Sequence, residues 1–144
     1  MALLFSAMAT ADESATPLLN MKSNRSLAEI RQDMPKIAKK HGYGVVAVHD
    51  MKAILAKKGH PIDRGVLIFE ICNPAKAKQV VEKKVEMATL LPCRIAVWQE
   101  GKQTVLAMVR PAALLGLLGK EPGLDDVARE VGRDLTTIMN EVAR

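Results

Sequence analysis

The sequence predicts an α+β fold in which helices pack on one side of a β-sheet. Strand-like and helix-like runs follow one another in the order α-β-α-β-α-β-β-α, which gives a four-stranded sheet. The last two strands are joined only by Glu100-Gly101-Lys102, a connection suited to a β-hairpin, so these strands are expected to pair antiparallel. The hairpin breaks strict β/α alternation and favours an α+β fold. The C-terminal run is clearly amphipathic and needs a surface to cover.

The length and composition indicate one globular domain. A chain of 144 residues can bury one sizeable core, and 49% hydrophobic with 26% charged residues is far from the composition of disordered chains. No apolar stretch approaches the ~20 residues that a membrane-spanning helix needs. We therefore expect a soluble protein with one domain over residues 25–144.

Residues 1–24 are expected to lie outside the fold. An apolar run, Leu3-Leu4-Phe5, precedes two Ala-x-Ala sequences that resemble cleavage sites, at residues 7–9 and 9–11. No Lys or Arg precedes the run, and it is shorter than the apolar region of a secretory signal. Two alternatives stay open, a flexible leader and the remnant of a signal segment. A cytoplasmic location is favoured, and a periplasmic or secreted one follows if the segment is a truncated signal peptide.

The first helix begins at a capping box. Ser26 and Glu29 have the spacing at which the hydroxyl and the carboxylate each accept a hydrogen bond from a free backbone amide at a helix start. Apolar residues then recur at helical spacing as far as His41, although Pro35 should kink the helix or split it in two. The β-branched residues in Gly44–His49 predict a short buried strand.

Capping residues predict where the two helices in the middle of the chain begin. Asp50 is placed to cap a second helix, which ends at Gly59. The run from Arg64 to Cys72 is almost continuously apolar and predicts a buried strand in which Glu70 is the exception. Asn73-Pro74 supplies a cap and a first helical residue for a third helix that continues to about Lys84.

The last third of the chain contains the hairpin and two helices. The hairpin strands run over Cys93–Gln99 and Gln103–Val109, and Pro111 is expected to open a short helix over Ala112–Leu118. The final helix carries apolar residues three and four positions apart, namely Leu124, Val127, Val131, Leu135, Ile138 and Val142.

The basic character does not predict a nucleic-acid partner. The net charge of +5 is carried in part by lysine pairs, Lys39/Lys40, Lys57/Lys58 and Lys83/Lys84, at or near predicted helix ends. Cations there compensate the helix dipole and need no external partner. Single-stranded nucleic acids are held largely by stacking on aromatic side chains, and only 3% of the residues are aromatic.

Two segments carry a resemblance to a known family. They are Phe69–Ala77, a strand that ends in a Cys-Asn-Pro helix start, and Leu90–Val97, a Leu-Pro-Cys sequence that enters a strand. This pattern resembles the domain-of-unknown-function 302 (DUF302) family over roughly Gly42 to Val109. The resemblance implies a curved, mainly antiparallel sheet backed by helices, similar to the TATA-binding-protein-like arrangement, and a homodimer. It implies no established activity and no catalytic residue.

The candidate ligand-binding residues are Glu70, Cys72, Asn73 and Cys93. Cys72 precedes a helix N-terminus, which favours the thiolate and lowers the pKa of a thiol, so Cys72 is the better candidate for a nucleophile and Cys93 for a resolving thiol. Free cysteines also pack as small hydrophobic residues, and this alternative stays open. Glu70 is expected either to face a pocket or to pair with Arg94.

A soft metal ion is a further possible ligand. His49, Cys72 and Cys93 lie at strand ends and are candidate ligands, with Asp50 and a methionine, Met51 or Met87, as additional ones. No CxxC pair, Gly-rich phosphate loop or Gly-x-Ser-x-Gly elbow occurs, so familiar metal, nucleotide and hydrolase signatures are absent and the cofactor is unknown.

The leading hypothesis is a homodimeric ligand-binding or interaction domain without established catalysis. The alternative is a thiol-dependent redox, sulfur-carrier or metal-binding protein that uses Cys72 and Cys93.

Overall fold

The computed structural model describes residues 16–144. Over these residues it contains five strands, five α-helices and one 3₁₀ helix. In chain order they are β1 (Leu18–Ser23), α1 (Leu27–Lys40), β2 (Gly44–Asp50), α2 (Met51–Lys57), β3 (Val66–Cys72), α3 (Pro74–Lys83), the 3₁₀ helix (Val85–Leu90), β4 (Cys93–Glu100), β5 (Gln103–Val109), α4 (Pro111–Leu117) and α5 (Asp125–Ala143). None of the helices described is long and apolar enough to cross a membrane.

The strands form one sheet in the order β1-β5-β4-β3-β2, and every neighbouring pair is antiparallel. The predicted α+β fold, with an antiparallel sheet backed by helices, is therefore confirmed. The predicted number of four strands and the order that begins with a helix are wrong. The additional strand is β1, which pairs with β5 from Leu18 opposite Val109 to Ser23 opposite Thr104.

Strand β1 lies within the segment that was expected to precede the domain. Its six residues form a strand because β5, far away in the sequence, supplies the hydrogen-bonding partner. Leu19 and Met21 pack against the main hydrophobic core. The two Ala-x-Ala sequences lie outside the described residues.

The predicted helix starts are confirmed. The Glu29 amide donates to Ser26 Oγ at 3.2 Å, and the Ser26 amide donates to Glu29 Oε2 at 2.8 Å, which completes the capping box. Asp50 and Asn73 cap α2 and α3 through their side-chain oxygens. Helix α1 continues through Pro35 to Lys40, so the alternative of two separate helices is wrong.

The main core lies between one face of the sheet and the helices α1 and α5. We call this face the covered face; its fully buried side chains include Phe69, Ile71, Ile95, Val97 and Leu106. Helices α1 and α5 contribute buried residues at helical spacing, among them Ile30, Met34, Leu135, Ile138 and Val142.

The residues that alternate with these point to the opposite face, which we call the open face. Along β3 every second residue is buried, and the residues between them, including Ile68 and Glu70, are only partly buried. The register places Ile68 opposite Ala96, and Ala96 opposite Ala107, so these three side chains form one row across the open face. This alternation in β3 and β4 is the usual pattern of an antiparallel sheet that is packed on one side. In β5 the open-face residues Val105 and Ala107 are buried as well.

Candidate functional site

The structure brings three of the four predicted ligand-binding residues together. Cys72, Asn73 and Cys93 line one cavity of about 30 Å³, together with Tyr43 and Lys76. Cys72 ends β3, Asn73 caps α3, and Cys93 opens β4 opposite Ile71. We call this cavity the cysteine corner. Glu70, the fourth predicted residue, does not line it.

The polar groups around the cysteine corner contact one another. The Tyr43 hydroxyl donates to Asp134 Oδ2 at 2.8 Å, and Lys76 Nζ lies 2.5 Å from Glu130 Oε2. Burial and the hydrogen bond to Asp134 raise the pKa of the Tyr43 phenol far above its ordinary value. Within residues 16–144, no buried side-chain nitrogen or oxygen lacks a hydrogen-bond partner. The corner is thus an internally paired region with room for about one water molecule.

Burial shifts the titration of both cysteine thiols to higher pH. Burial raises the pKa of Cys72, and burial together with the charge of Cys72 raises the pKa of Cys93 to about 11. The expectation that the helix N-terminus lowers the pKa of Cys72 is wrong, because burial disfavours the charged thiolate and raises this pKa. Both cysteines are free thiols in the structure.

Glu70 lies on the open face between two basic side chains. Its Oε1 atom is 3.3 Å from His49 Nε2 and 3.7 Å from Arg94 Nε. Arg94 is directly opposite Glu70 in the β3–β4 register, so the predicted pairing with Arg94 is the alternative that the structure supports. The contact with His49 was not foreseen, because it depends on the pairing of β2 with β3.

The predicted soft-metal ligands do not form one group. Over residues 16–144, no three His, Cys, Asp or Glu side chains come together in a way that would hold a metal ion. His49 contacts Glu70, whereas Cys72 and Cys93 line the cysteine corner. Of the additional candidates, Asp50 caps α2, and Met87 is buried in a second small core against Leu115 and Leu124.

Sequence reasoning missed a groove of about 420 Å³ that includes much of the open face. Its floor contains the row Ile68, Ala96 and Ala107, where the two alanines leave space above the sheet. Trp98 and Arg94 line it on either side of Ala96 along β4, and Leu90, Pro92 and Leu114 line its end. We call this feature the sheet groove.

The sheet groove is mostly apolar. Among the lining residues that lie within 16–144, Arg94 is the only charged one, and Trp98 is the only tryptophan of the chain. The alternation of Arg94, Ala96 and Trp98 along β4 could have indicated a shared face, but the small floor appears only once β4 is placed between β3 and β5.

Comparison with known proteins gives one family and a similar fold. A family model described as "Domain of unknown function DUF302" matches residues 19–142. A crystal structure described as an uncharacterized conserved protein DUF302 from Bacillus stearothermophilus is 25% identical to this chain and has a TM-score of 0.83. The alignment covers 90% of this chain and all of that one. No curated protein matches the chain.

Proposed function

Because the chain belongs to the DUF302 family, whose function is unknown, we propose a function from the geometry of this chain: it is a ligand-binding domain whose sheet groove holds a small molecule. The observation that carries the proposal is the groove of about 420 Å³ on the open face. Ligand pockets typically have volumes of about 300–1,000 Å³ and a mostly apolar lining with a few polar groups. The sheet groove has both properties.

The cysteine corner fits this role less well. Its cavity of about 30 Å³ is too small for an organic ligand, and its buried side-chain nitrogen and oxygen atoms already have partners. Cys72, Asn73 and Cys93, three of the four predicted binding residues, therefore line a packed region of the protein. Glu70, which contacts Arg94 beside the groove, is the one that the proposal keeps near the ligand.

The single tryptophan provides a direct test of binding. N-phenyl-1-naphthylamine, an uncharged fluorescent probe, should quench Trp98 by energy transfer when it enters the groove. Ala96→Phe places a large side chain on the groove floor and should abolish this transfer. Ala75→Phe, at an exposed position of α3, is the matched control and should bind the probe as the unchanged protein does.

Two results would contradict the proposal. One is the absence of saturable energy transfer in the unchanged protein. The other is equal probe binding by Ala96→Phe and the unchanged protein. Circular dichroism of both phenylalanine variants must first establish that each retains the fold.

We also propose that two copies associate through the edge of β1 that no other strand of residues 16–144 pairs with. Edge strands present unpaired backbone groups that can pair with another strand. The opposite edge of the sheet, β2, has a register shift between Val45 and Ala47, and such bulges discourage edge pairing. Strand β1 pairs with β5 without interruption and has no such protection.

Light scattering after size-exclusion chromatography tests this association. The unchanged protein should have the mass of a dimer, and replacement of Asn20 in the middle of β1 by proline should shift it towards a monomer. A monomeric mass at all protein concentrations, or a dimer unaffected by Asn20→Pro, would contradict association through β1.

Thiol chemistry is the second candidate function. The observation in its favour is that Cys72 and Cys93 share one cavity, where they could form a disulfide or bind a soft metal ion. The raised pKa values of both thiols argue against a nucleophilic thiolate.

Alkylation and metal analysis separate the thiol roles. A nucleophilic Cys72 should be alkylated with an apparent pKa below the ~8.5 of a free thiol. A bound soft metal should be lost in both Cys72→Ser and Cys93→Ser. Slow alkylation that accelerates only at alkaline pH, with unchanged metal content in both variants, would leave the cysteines as packing residues.

A further inference from the structure

We infer that the sheet groove selects an elongated apolar anion, such as a medium-chain carboxylate, with its anionic group at Arg94 and its apolar body over Ala96 towards Trp98. This inference rests on the proposed function of the groove and adds the chemical class of the ligand. It depends on three features of the open face: an available cation, a narrow apolar floor, and an aromatic side chain at a distance from that cation.

The guanidinium of Arg94 is available for a ligand. Its side chain is 65% exposed, and its contact with Glu70 is 3.7 Å, which is too long for a hydrogen bond. Within residues 16–144, no group accepts a hydrogen bond from its two Nη atoms. A guanidinium presents its donors in a planar fork that matches the two oxygens of a carboxylate.

The carboxylate of Glu70 does not close this site to anions. Its Oε1 atom lies closer to His49 Nε2, at 3.3 Å, than to Arg94 Nε. Glu70 thus competes only weakly for the guanidinium. Replacement of Glu70 by glutamine should remove this competition and strengthen the binding of an anion.

The remaining lining defines the shape of the ligand. Arg94, Ala96 and Trp98 alternate along β4, so the Cα atoms of Arg94 and Trp98 are about 13 Å apart. Between them the row Ile68, Ala96 and Ala107 gives a low apolar floor. An extended aliphatic chain covers such a floor, whereas the anionic group needs only the one cation.

Three probes with the same chain and different charges test the inference. Octanoate, 1-octanol and octyltrimethylammonium are titrated into the full chain, and the fluorescence of Trp98 reports binding. Octanoate should bind most tightly and octyltrimethylammonium most weakly. Added salt should weaken only the binding of octanoate, because salt screens the attraction between exposed charges.

Arg94→Gln should weaken octanoate binding about fivefold, which corresponds to the upper range of an exposed ion pair. It should leave the binding of 1-octanol unchanged. Arg94→Lys, which retains the charge, should restore part of the affinity. Lys22→Gln is the matched control, because Lys22 is an exposed cation on β1 that does not line the groove, and it should change octanoate binding less than twofold.

The possible failures are distinguishable. If all three probes bind equally and Ala96→Phe blocks them, the groove binds apolar molecules and the inferred preference for anions is wrong. If Arg94→Gln and Lys22→Gln weaken octanoate equally, the attraction comes from net charge and Arg94 has no specific role. If no probe binds, both the inference and the proposed function are wrong.

Discussion

The two faces of the sheet are built from alternate residues of the same strands, yet they differ in almost every property. In β3, Phe69 on the covered face is fully buried among aliphatic side chains, whereas its neighbours Ile68 and Glu70 face the groove side. In β4, Ile95 and Val97 are fully buried, whereas Arg94, Ala96 and Trp98 remain accessible. The difference separates two tasks. The covered face supplies most of the apolar burial that stabilises the fold, and the open face of β3 and β4 leaves side chains accessible to a ligand.

Replacement of large side chains on each face is the strongest test of this contrast. Phe69→Ala should lower the free energy of unfolding by about 3–5 kcal/mol, because it removes a fully buried ring and leaves a cavity. Ile68→Ala, one residue away on the open face, should cost about 1 kcal/mol, since its side chain is only partly buried. Urea unfolding measures both values. Equal costs would mean that the open face is as tightly packed as the covered one.

Alkaline pH should destabilise the edge of the covered face at Cys93. The folded-state pKa of Cys93 is raised to about 11, so the folded protein retains a proton that the unfolded chain releases at its ordinary pKa of ~8.5. This contribution is fully present below pH ~8.5 and is lost as the pH rises towards about 11, a fall of about 3 kcal/mol in the free energy of unfolding.

Unfolding experiments at a series of pH values measure this fall in the free energy of unfolding. Cys93→Ala should flatten the curve over this range, and Cys72→Ala should flatten it less, because Cys93 is the more deeply buried thiol. An unchanged alkaline slope in Cys93→Ala would show that the thiol is accessible to water.

The loss of a single polar group should lower the free energy of unfolding by a smaller amount, and by less on the open face than in the covered core. Tyr43→Phe removes the hydroxyl that donates to Asp134 and should cost about 1 kcal/mol. Arg94→Gln on the open face should change the stability by less than about 0.5 kcal/mol, because its contact with Glu70 is long and exposed. Thermal unfolding of the two variants compares them directly. A larger loss of stability for Arg94→Gln than for Tyr43→Phe would contradict this contrast between the two faces.

The smallest effect is expected where α1 meets α5 above the covered face. Hydrogen bonds from His41 and Lys40 lower the pKa of Glu141. A carboxylate with a lowered pKa stabilises the protein above its ordinary pKa of ~4.3, and this contribution is lost as the pH falls through the lowered value. Acid unfolding of Glu141→Gln should begin from a less stable protein and have a shallower slope. Glu82→Gln on exposed α3 is the control, and identical curves for the two variants would contradict the role of Glu141.

Much of the fold follows from local signals. The capping residues Ser26, Asp50 and Asn73 mark the starts of α1, α2 and α3, because each satisfies backbone amides of its own helix. The hairpin around Gly101 is equally local, since the turn joins its two strands directly, and Gly101 has a positive φ of 61°. In contrast, β1 depends on β5, a partner far away in the sequence, and its six residues alone carry little strand signal.

The candidate site shows the same division. Cys72 and Asn73 are neighbours in the sequence, at the point where β3 ends and α3 begins. Cys93 lies near them because the β3–β4 register places it opposite Ile71. The pKa of a buried thiol depends on every element packed around it, so a rule about helix ends could not predict it. The sheet groove needs the register of three strands to place Ile68, Ala96 and Ala107 in one row.

The position of β1 also has a consequence for folding during synthesis. A ribosome makes β1 first, but Ser23 cannot find its partner Thr104 until β4 and β5 have been translated. The Ser23 hydroxyl donates to the carbonyl oxygen of Ala143, and Arg25 donates to that of Val142, so the start of the domain also contacts the last residues of α5. Long-range pairing of this kind slows folding. A nascent chain therefore carries β1 unpaired, as an exposed strand, until almost the whole protein has been made.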